Sequence, residues 1–219
     1  MKKVFFIIVL LIVCVPIAYY FNMPSDKKKL AVINPTDLNS EMVDVELRSK
    51  GKDHYIVDFE LIDQDNQVFS SSNVSQKIWV VEYFFATCKG ICPIMNEQMK
   101  RVQSAYLGDT NVVLLSFTVD PDYDTPEVLK DYANAHEAQS GKWFFLTGKK
   151  DVIYTLARKS FFLLKPAEAE NQGDVGSDFI HTNNFVLIDE NKQIRGYYDG
   201  TNVNEVDELI EDIYTLQKE

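Results

Sequence analysis

Two thiols four positions apart carry the clearest chemistry in this chain: Cys88-Lys89-Gly90-Ile91-Cys92-Pro93 follows directly on the apolar run Ile78 to Ala86. A strand handing over to a helix at this point can bring both sulfurs onto one face of the first helical turn. At a helix N-terminus the backbone dipole favours negative charge, so a thiol there ionises more readily. The thiolate is both the nucleophile and the metal ligand. The remaining cysteine, Cys14, lies in a hydrophobic N-terminal segment, which leaves Cys88 and Cys92 only each other as partners in the soluble part. The pair is a redox couple, a soft-metal site, or both. Thioredoxin-type redox sites place two residues between the cysteines, whereas three stand here and leave room for an ion between the sulfurs. Gly90 and Pro93 suit a tight, exposed turn, which argues against a merely structural disulfide. Spacing alone does not separate copper binding from redox exchange.

Alternating elements surround the pair. Ile56 to Ile62 is strand-like and leads through Asp63-Gln64-Asp65-Asn66-Gln67 into Val68-Phe69, a hairpin pattern. Ile78 to Ala86 is rich in β-branched and aromatic residues, as in a central strand. Pro93 suits the first turn of a helix running to about Tyr106, and Asn111 to Val119 reads as a second buried strand. Thr125 as N-cap with Pro126 behind it opens a helix to about Ala138. A short strand follows at Trp143 to Leu146, then a helix from Lys149 to Lys159 and a polar loop from Asn171 to Asp178. Strands at Asn184 to Ile188 and Gln193 to Tyr198 precede an amphipathic helix, Val203 to Leu216. This order predicts an α/β, thioredoxin-like fold, a central mixed sheet flanked by helices. The segments before Ile78 and from Gly141 to Lys159 read as insertions into it.

The chain has 219 residues and a formal net charge of −11, which argues against nucleic-acid binding, since phosphates need a basic stripe. After Met1-Lys2-Lys3, the stretch Val4 to Phe21 is almost wholly apolar. At about 1.5 Å per residue it spans roughly 27 Å, close to a bilayer core, with Tyr19, Tyr20 and Phe21 placed as an interfacial belt. A single-pass signal-anchor helix over residues 1–22 is the expectation, with a tether over 23–53 and the folded domain over 54–219. A cleaved signal peptide fits less well because no small-x-small site follows. A lipid on Cys14 fits less well because Val13 is bulky where lipoprotein signals carry a small residue. A very short N-terminal tail stays in the cytoplasm. The soluble domain is therefore expected on the extracytoplasmic (periplasmic) side of the cell's inner membrane, where a disulfide can form.

Two more stretches complete a pattern. One is Phe117-Thr118-Val119-Asp120-Pro121-Asp122-Tyr123-Asp124-Thr125-Pro126. The other is Asp178-Phe179-Ile180-His181-Thr182-Asn183-Asn184-Phe185-Val186-Leu187-Ile188-Asp189, followed by Ile194-Arg195-Gly196-Tyr197-Tyr198-Asp199-Gly200. With Phe84 to Pro93 they resemble the Sco/SenC family from about Phe59 to Leu216. Members of that family are membrane-anchored, thioredoxin-fold copper proteins that help assemble the CuA centre of cytochrome c oxidase. The resemblance implies one copper ion, Cu(I) or Cu(II), held by Cys88, Cys92 and His181. It implies as partner the CuA-bearing subunit of the oxidase or another copper protein. A metallochaperone, a thiol–disulfide oxidoreductase acting through Cys88 and Cys92 on the CuA-site cysteines, and a redox or copper sensor all remain compatible. Thioredoxins carry a cis-proline in the loop facing the cysteines; Phe179 to Phe185 contains none, and His181 stands in the comparable place. Two departures concern neighbours of the ligands: Lys89 replaces a common proline, and Ile180 replaces a common acid.

Four further groups have simpler readings. Asp120 is either a group behind the metal site or part of a structural Asp-Pro turn. His54 and His136 read as ordinary structural histidines. Met95 and Met99, at i and i+4, read as core. Glu168, Glu170, Asp174 and Asp178 read as a solvated acidic loop that could also guide a cation or basic partner.

Overall fold

A computed structural model describes residues 29–40, 43–48, 54–163 and 182–219. The expected anchor and the loop at Asn171 to Asp178 lie outside the described residues. Among the described residues no helix is long and apolar enough to cross a membrane.

The sheet is organised by two strands buried on both faces. Ile78–Phe84 (β3) and Val112–Thr118 (β4) are buried at every position and pair in parallel. Their β-branched and aromatic runs are what a strand covered from both sides requires. Trp79, Val81 and Tyr83 point into one core, while Ile78, Val80 and Phe84 point into the other. Glu60–Asp63 (β1) and Val68–Ser70 (β2) form the expected hairpin. Trp143–Thr147 (β5), Asn184–Ile188 (β6) and Ile194–Asp199 (β7) complete a seven-stranded mixed sheet in the order β2-β1-β5-β4-β3-β6-β7.

The four strands β4-β3-β6-β7 make the thioredoxin-like centre. The segments read as insertions continue the sheet itself. β5 runs parallel to β4, and the β1–β2 hairpin pairs antiparallel to β5 through Ile62 opposite Thr147.

Helices Cys92–Ala105 (α1), Pro126–Ala135 (α2) and Val203–Leu216 (α4) contribute Met95, Met99, Val102, Leu129, Val206, Leu209 and Ile213 to one core. Each such side chain contributes roughly 2 kcal/mol of apolar burial. Lys150–Thr155 (α3) covers the opposite face. It widens at Leu156–Ser160 into a π turn, where a regular helix to Lys159 was expected. Thr125 caps α2, its Oγ1 accepting from Val128 N–H at 3.4 Å. That helix ends short of Ala138 because His136 caps it and Glu137 takes a left-handed backbone, φ 56°.

Residues 29–34, within the stretch read as a tether, lie along the outer strand. Ile33 N–H donates to Ile194 O at 2.8 Å. Arg195 reaches Leu30 O at 2.6 Å, Asp189 at 2.9 Å and Glu219 at 2.6 Å.

Candidate metal and redox centre

The cysteines sit where β3 runs out. Its last residue is Phe84, residues 85–91 turn at the end of the sheet, and Cys92 is the first residue of α1. Cys88 therefore lies in the approach loop and Cys92 at the helix start, so the thiols meet across the junction rather than within one helical turn. Both are free thiols; Cys88 is half-buried and Cys92 is 4% exposed.

Their environments push them apart. Burial alone would raise the Cys88 pKa. The hydrogen bond from the Cys92 thiol, together with the backbone N–H groups of Cys92, Gly90 and Ile91, outweighs it and leaves Cys88 below its ordinary value. A cradle of N–H groups at a helix N-terminus stabilises an anion in this way. Lys89 is exposed and is not what lowers the thiol. Cys92 is pushed up, first by burial, then by its hydrogen bond to Cys88 and by the charges of Cys88 and Glu82. Cys88 is thus the more readily ionised thiol of the pair, and Cys92 the one that holds its proton longer. Two sulfurs already in hydrogen-bond contact also fit a soft ion, which takes few ligands and prefers thiolates.

Two carboxylates that the sequence reading did not single out support this junction. Asp124 has no exposed surface. Its carboxylate accepts from Ala86 N–H at 3.2 Å and from the Thr118 hydroxyl, tying the cysteine loop to the turn after β4. Burial raises its pKa. Asp120 instead shapes that turn, its N–H donating to Thr118 Oγ1 at 3.0 Å and its carbonyl accepting from Asp124 N–H at 2.8 Å. Glu82, the one charged residue within β3, is completely buried; that lone acid in an apolar run was the available signal.

The other singled-out residues fall as follows. Met95 and Met99 are core, 1% and 0% exposed. His54 Nε2 meets Ser160 O at 2.8 Å, and its ring packs on Phe162. His136 is half-buried against Tyr132, with its Nε2 3.5 Å from Asn96 Nδ2. His181 and the acidic residues 168–178 lie outside the described residues. β6 runs antiparallel to β3, with Val186 opposite Val81. Its first end, preceded by Thr182 and Asn183, therefore lies at the end of the sheet from which the cysteine loop departs. Among the described residues no cluster of three or more His, Cys, Asp or Glu side chains could hold a metal.

A mixed sheet with a cysteine pair at the end of its central strand and a helix starting at the second cysteine defines a dithiol protein of thioredoxin-like fold. Comparison with known proteins narrows the class. The family model described as SCO1/SenC matches residues 48–218, and the chain belongs to that family. The SCO1 protein homolog of Bacillus subtilis is 30% identical over 158 residues, which are 71% of this chain and 79% of that protein. A Stutzerimonas stutzeri protein named as a candidate copper-binding protein is 28% identical over 148 residues, 67% of this chain and 70% of its own. A SCO1/SenC family lipoprotein from Bacillus anthracis superposes with a TM-score of 0.65 at 28% identity, over 75% of this chain and 95% of its own. BsSco, a Sco-family cytochrome c oxidase assembly protein described with a disulfide switch, superposes with a TM-score of 0.62 at 26% identity, over 74% and 93%.

Proposed function

We propose that this protein is a membrane-anchored copper chaperone that assists assembly of the CuA centre of cytochrome c oxidase. It holds one copper ion as cargo through Cys88, Cys92 and His181, with the domain outside the cytoplasm. The observation that carries the reading is the contacting thiol pair, with backbone N–H groups around the Cys88 sulfur favouring its ionisation and the Cys92 sulfur beside it. Membership of the SCO1/SenC family, the oxidase-assembly role of BsSco and the copper assignment of the Stutzerimonas relative support it. His181 enters from the motif that precedes β6, which leads away from the cysteine end of the sheet. Two thiolates and an imidazole suit Cu(I) and tolerate Cu(II) with added oxygen ligands. Delivery is ligand exchange: a thiol of the acceptor displaces one cysteine at a time, so copper is never released free.

The asymmetry of the pair favours a second activity at the same site. Cys88 as nucleophile and Cys92 as resolving thiol form a thiol–disulfide reductase that could keep the CuA cysteines reduced before metal arrives. The disulfide switch of BsSco supports this reading.

Copper titration of the reduced full-length protein in detergent, followed by X-ray absorption at the copper edge, tests the site. The expected result is one copper with two sulfurs and one nitrogen. His181→Ala should weaken binding by more than about tenfold and leave the Cys88–Cys92 disulfide able to form. Unchanged affinity and an unchanged spectrum in His181→Ala would reject the three-ligand site. In cells under copper limitation, loss of the gene should lower assembled oxidase. Rescue by added copper points to delivery, and rescue by added thiol points to reduction.

A further inference from the structure

A carboxylate with half of its hydrogen bonding missing lies in the core layer behind the cysteine pair. Glu82 faces the side of the sheet covered by α1, α2 and α4, between Val80 and Phe84. Its register neighbour Ser116 on β4 donates Oγ–H to Oε1 at 2.5 Å, and the same hydroxyl oxygen accepts Trp143 Nε1–H from β5 at 2.8 Å. Glu82 Oε2 has no hydrogen-bond partner among the described residues, and no cation pairs with the group there. A second bare acceptor lies in the same layer. Asn96, one helical turn after Cys92, turns Nδ2 to the Tyr132 hydroxyl at 2.6 Å and leaves Oδ1 without a partner. The titratable groups in or bordering this layer are Cys88 from the approach loop, Cys92 from α1, Tyr106 just past its end, Tyr132 and His136 from α2, Tyr198 from β7 and Asp212 from α4, whose carboxylate accepts from the Tyr198 hydroxyl at 2.8 Å. β4 and β5 bring Ser116 and Trp143, and β6 brings apolar Phe185 and Leu187. Glu97 and Lys100 act on His136 from outside.

A buried carboxylate oxygen without a donor is relieved at lowest cost by a proton on the carboxyl, which removes the buried charge and replaces the bare acceptor with a hydroxyl. A like charge on the nearby sulfurs holds that proton in place, and its removal lets the proton go. We propose that Glu82 is a proton site coupled to the cysteine pair: it holds a proton while the pair is reduced and releases it when the pair becomes a neutral disulfide. The inference rests on reading Cys88 and Cys92 as the reactive pair, and extends it.

The step balances with an external disulfide R–S–S–R as oxidant. The Cys88 thiolate, the Cys92 thiol, protonated Glu82 and R–S–S–R give the Cys88–Cys92 disulfide, ionised Glu82 and two R–SH. Two electrons pass from the pair to R–S–S–R, and the protons of Cys92 and Glu82 leave on the two thiols. Reduction therefore takes up one proton more than the dithiol chemistry requires. Burial, opposed by the Ser116 hydrogen bond, sets the Glu82 pKa at about 7 with both thiols present, so the coupling falls in the physiological range.

The test uses metal-free full-length protein labelled at the glutamate side-chain carboxyl carbon, with Glu82→Gln identifying the Glu82 signal. In the reduced protein Glu82 should titrate near neutral pH, and in the disulfide form its midpoint should move to lower pH. Between the two midpoints, the equilibrium against a glutathione couple should change about tenfold more per pH unit in the parent than in Glu82→Gln, the effect of one extra proton. A Glu82 signal ionised throughout pH 5–8 in both states, or one whose midpoint ignores oxidation, would overturn the coupling while leaving the copper and redox readings intact. If the parent does not cycle between dithiol and disulfide at all, the redox reading of the pair fails and takes this inference with it.

Discussion

Replacing Glu82 with Gln should make the protein more stable at pH 8 and change little at pH 4. The carboxyl is completely buried, and burial raises its pKa from 4.5 to about 7. Below the unfolded value both states carry the neutral acid, and the side chain costs nothing extra. Between about 4.5 and 7 the folded state binds the proton that the unfolded state has lost, so stability falls as pH rises. Above about 7 the loss is complete. A difference of about 2.5 pKa units at about 1.4 kcal/mol each amounts to between about 3 and 4 kcal/mol. Gln keeps an oxygen for the Ser116 hydroxyl, which donates at 2.5 Å, and presents an amide donor where Oε2 now lacks a partner. Urea unfolding of the parent and of Glu82→Gln at pH 4.5, 6, 7 and 8, read as midpoints at a shared m-value, measures the gap. It should open steadily to between about 3 and 4 kcal/mol by pH 8. A gap that does not change with pH, or a Gln variant less stable than the parent at pH 8, refutes the reasoning.

Three other outcomes follow from the geometry. In the reduced protein near pH 7, iodoacetamide should modify Cys88 well before Cys92, because Cys88 is the more accessible and more readily ionised thiol while Cys92 is buried and its pKa is pushed up; peptide mapping that finds Cys92 modified first contradicts this. Arg195→Ala removes the charged partner of Asp189 Oδ2 and Glu219 Oε2 and the donor to the Leu30 carbonyl, so it should cost about 3 kcal/mol in urea unfolding and open residues 29–34 to proteolysis; parental stability and resistance would show the guanidinium to be dispensable. Gly200→Ala would place a Cβ 2.8 Å from the Phe185 ring and 3.0 Å from Asn183 O, just where β7 ends beside the start of β6. About 1–3 kcal/mol should be lost, visible as a lower melting temperature.

The sequence by itself determined what local chemistry determines. The two thiols, the strand before them and Pro93 announce the site, and the order of strands and helices announces a thioredoxin-like sheet. Thr125 and Pro126 mark the start of α2. The expected span Val203 to Leu216 matches α4 because its apolar period and Asn202 cap lie within one stretch of chain. What only the tertiary structure decided depends on neighbours far apart in sequence. Whether Trp143–Thr147 decorates the sheet or joins it turns on pairing with β4 and β1, which no local pattern reveals. The division of labour between Cys88 and Cys92 depends on which sulfur the backbone N–H groups cradle and which the core swallows. Asp124, rather than Asp120, reaches the cysteine loop because the turn after β4 aims its carboxylate at Ala86. In the sequence Glu82 is a single acid within an apolar strand. Burial between β3 and its covering helices makes it a charge in want of a proton, since desolvation is set by the packing of the whole domain and not by the residues on either side.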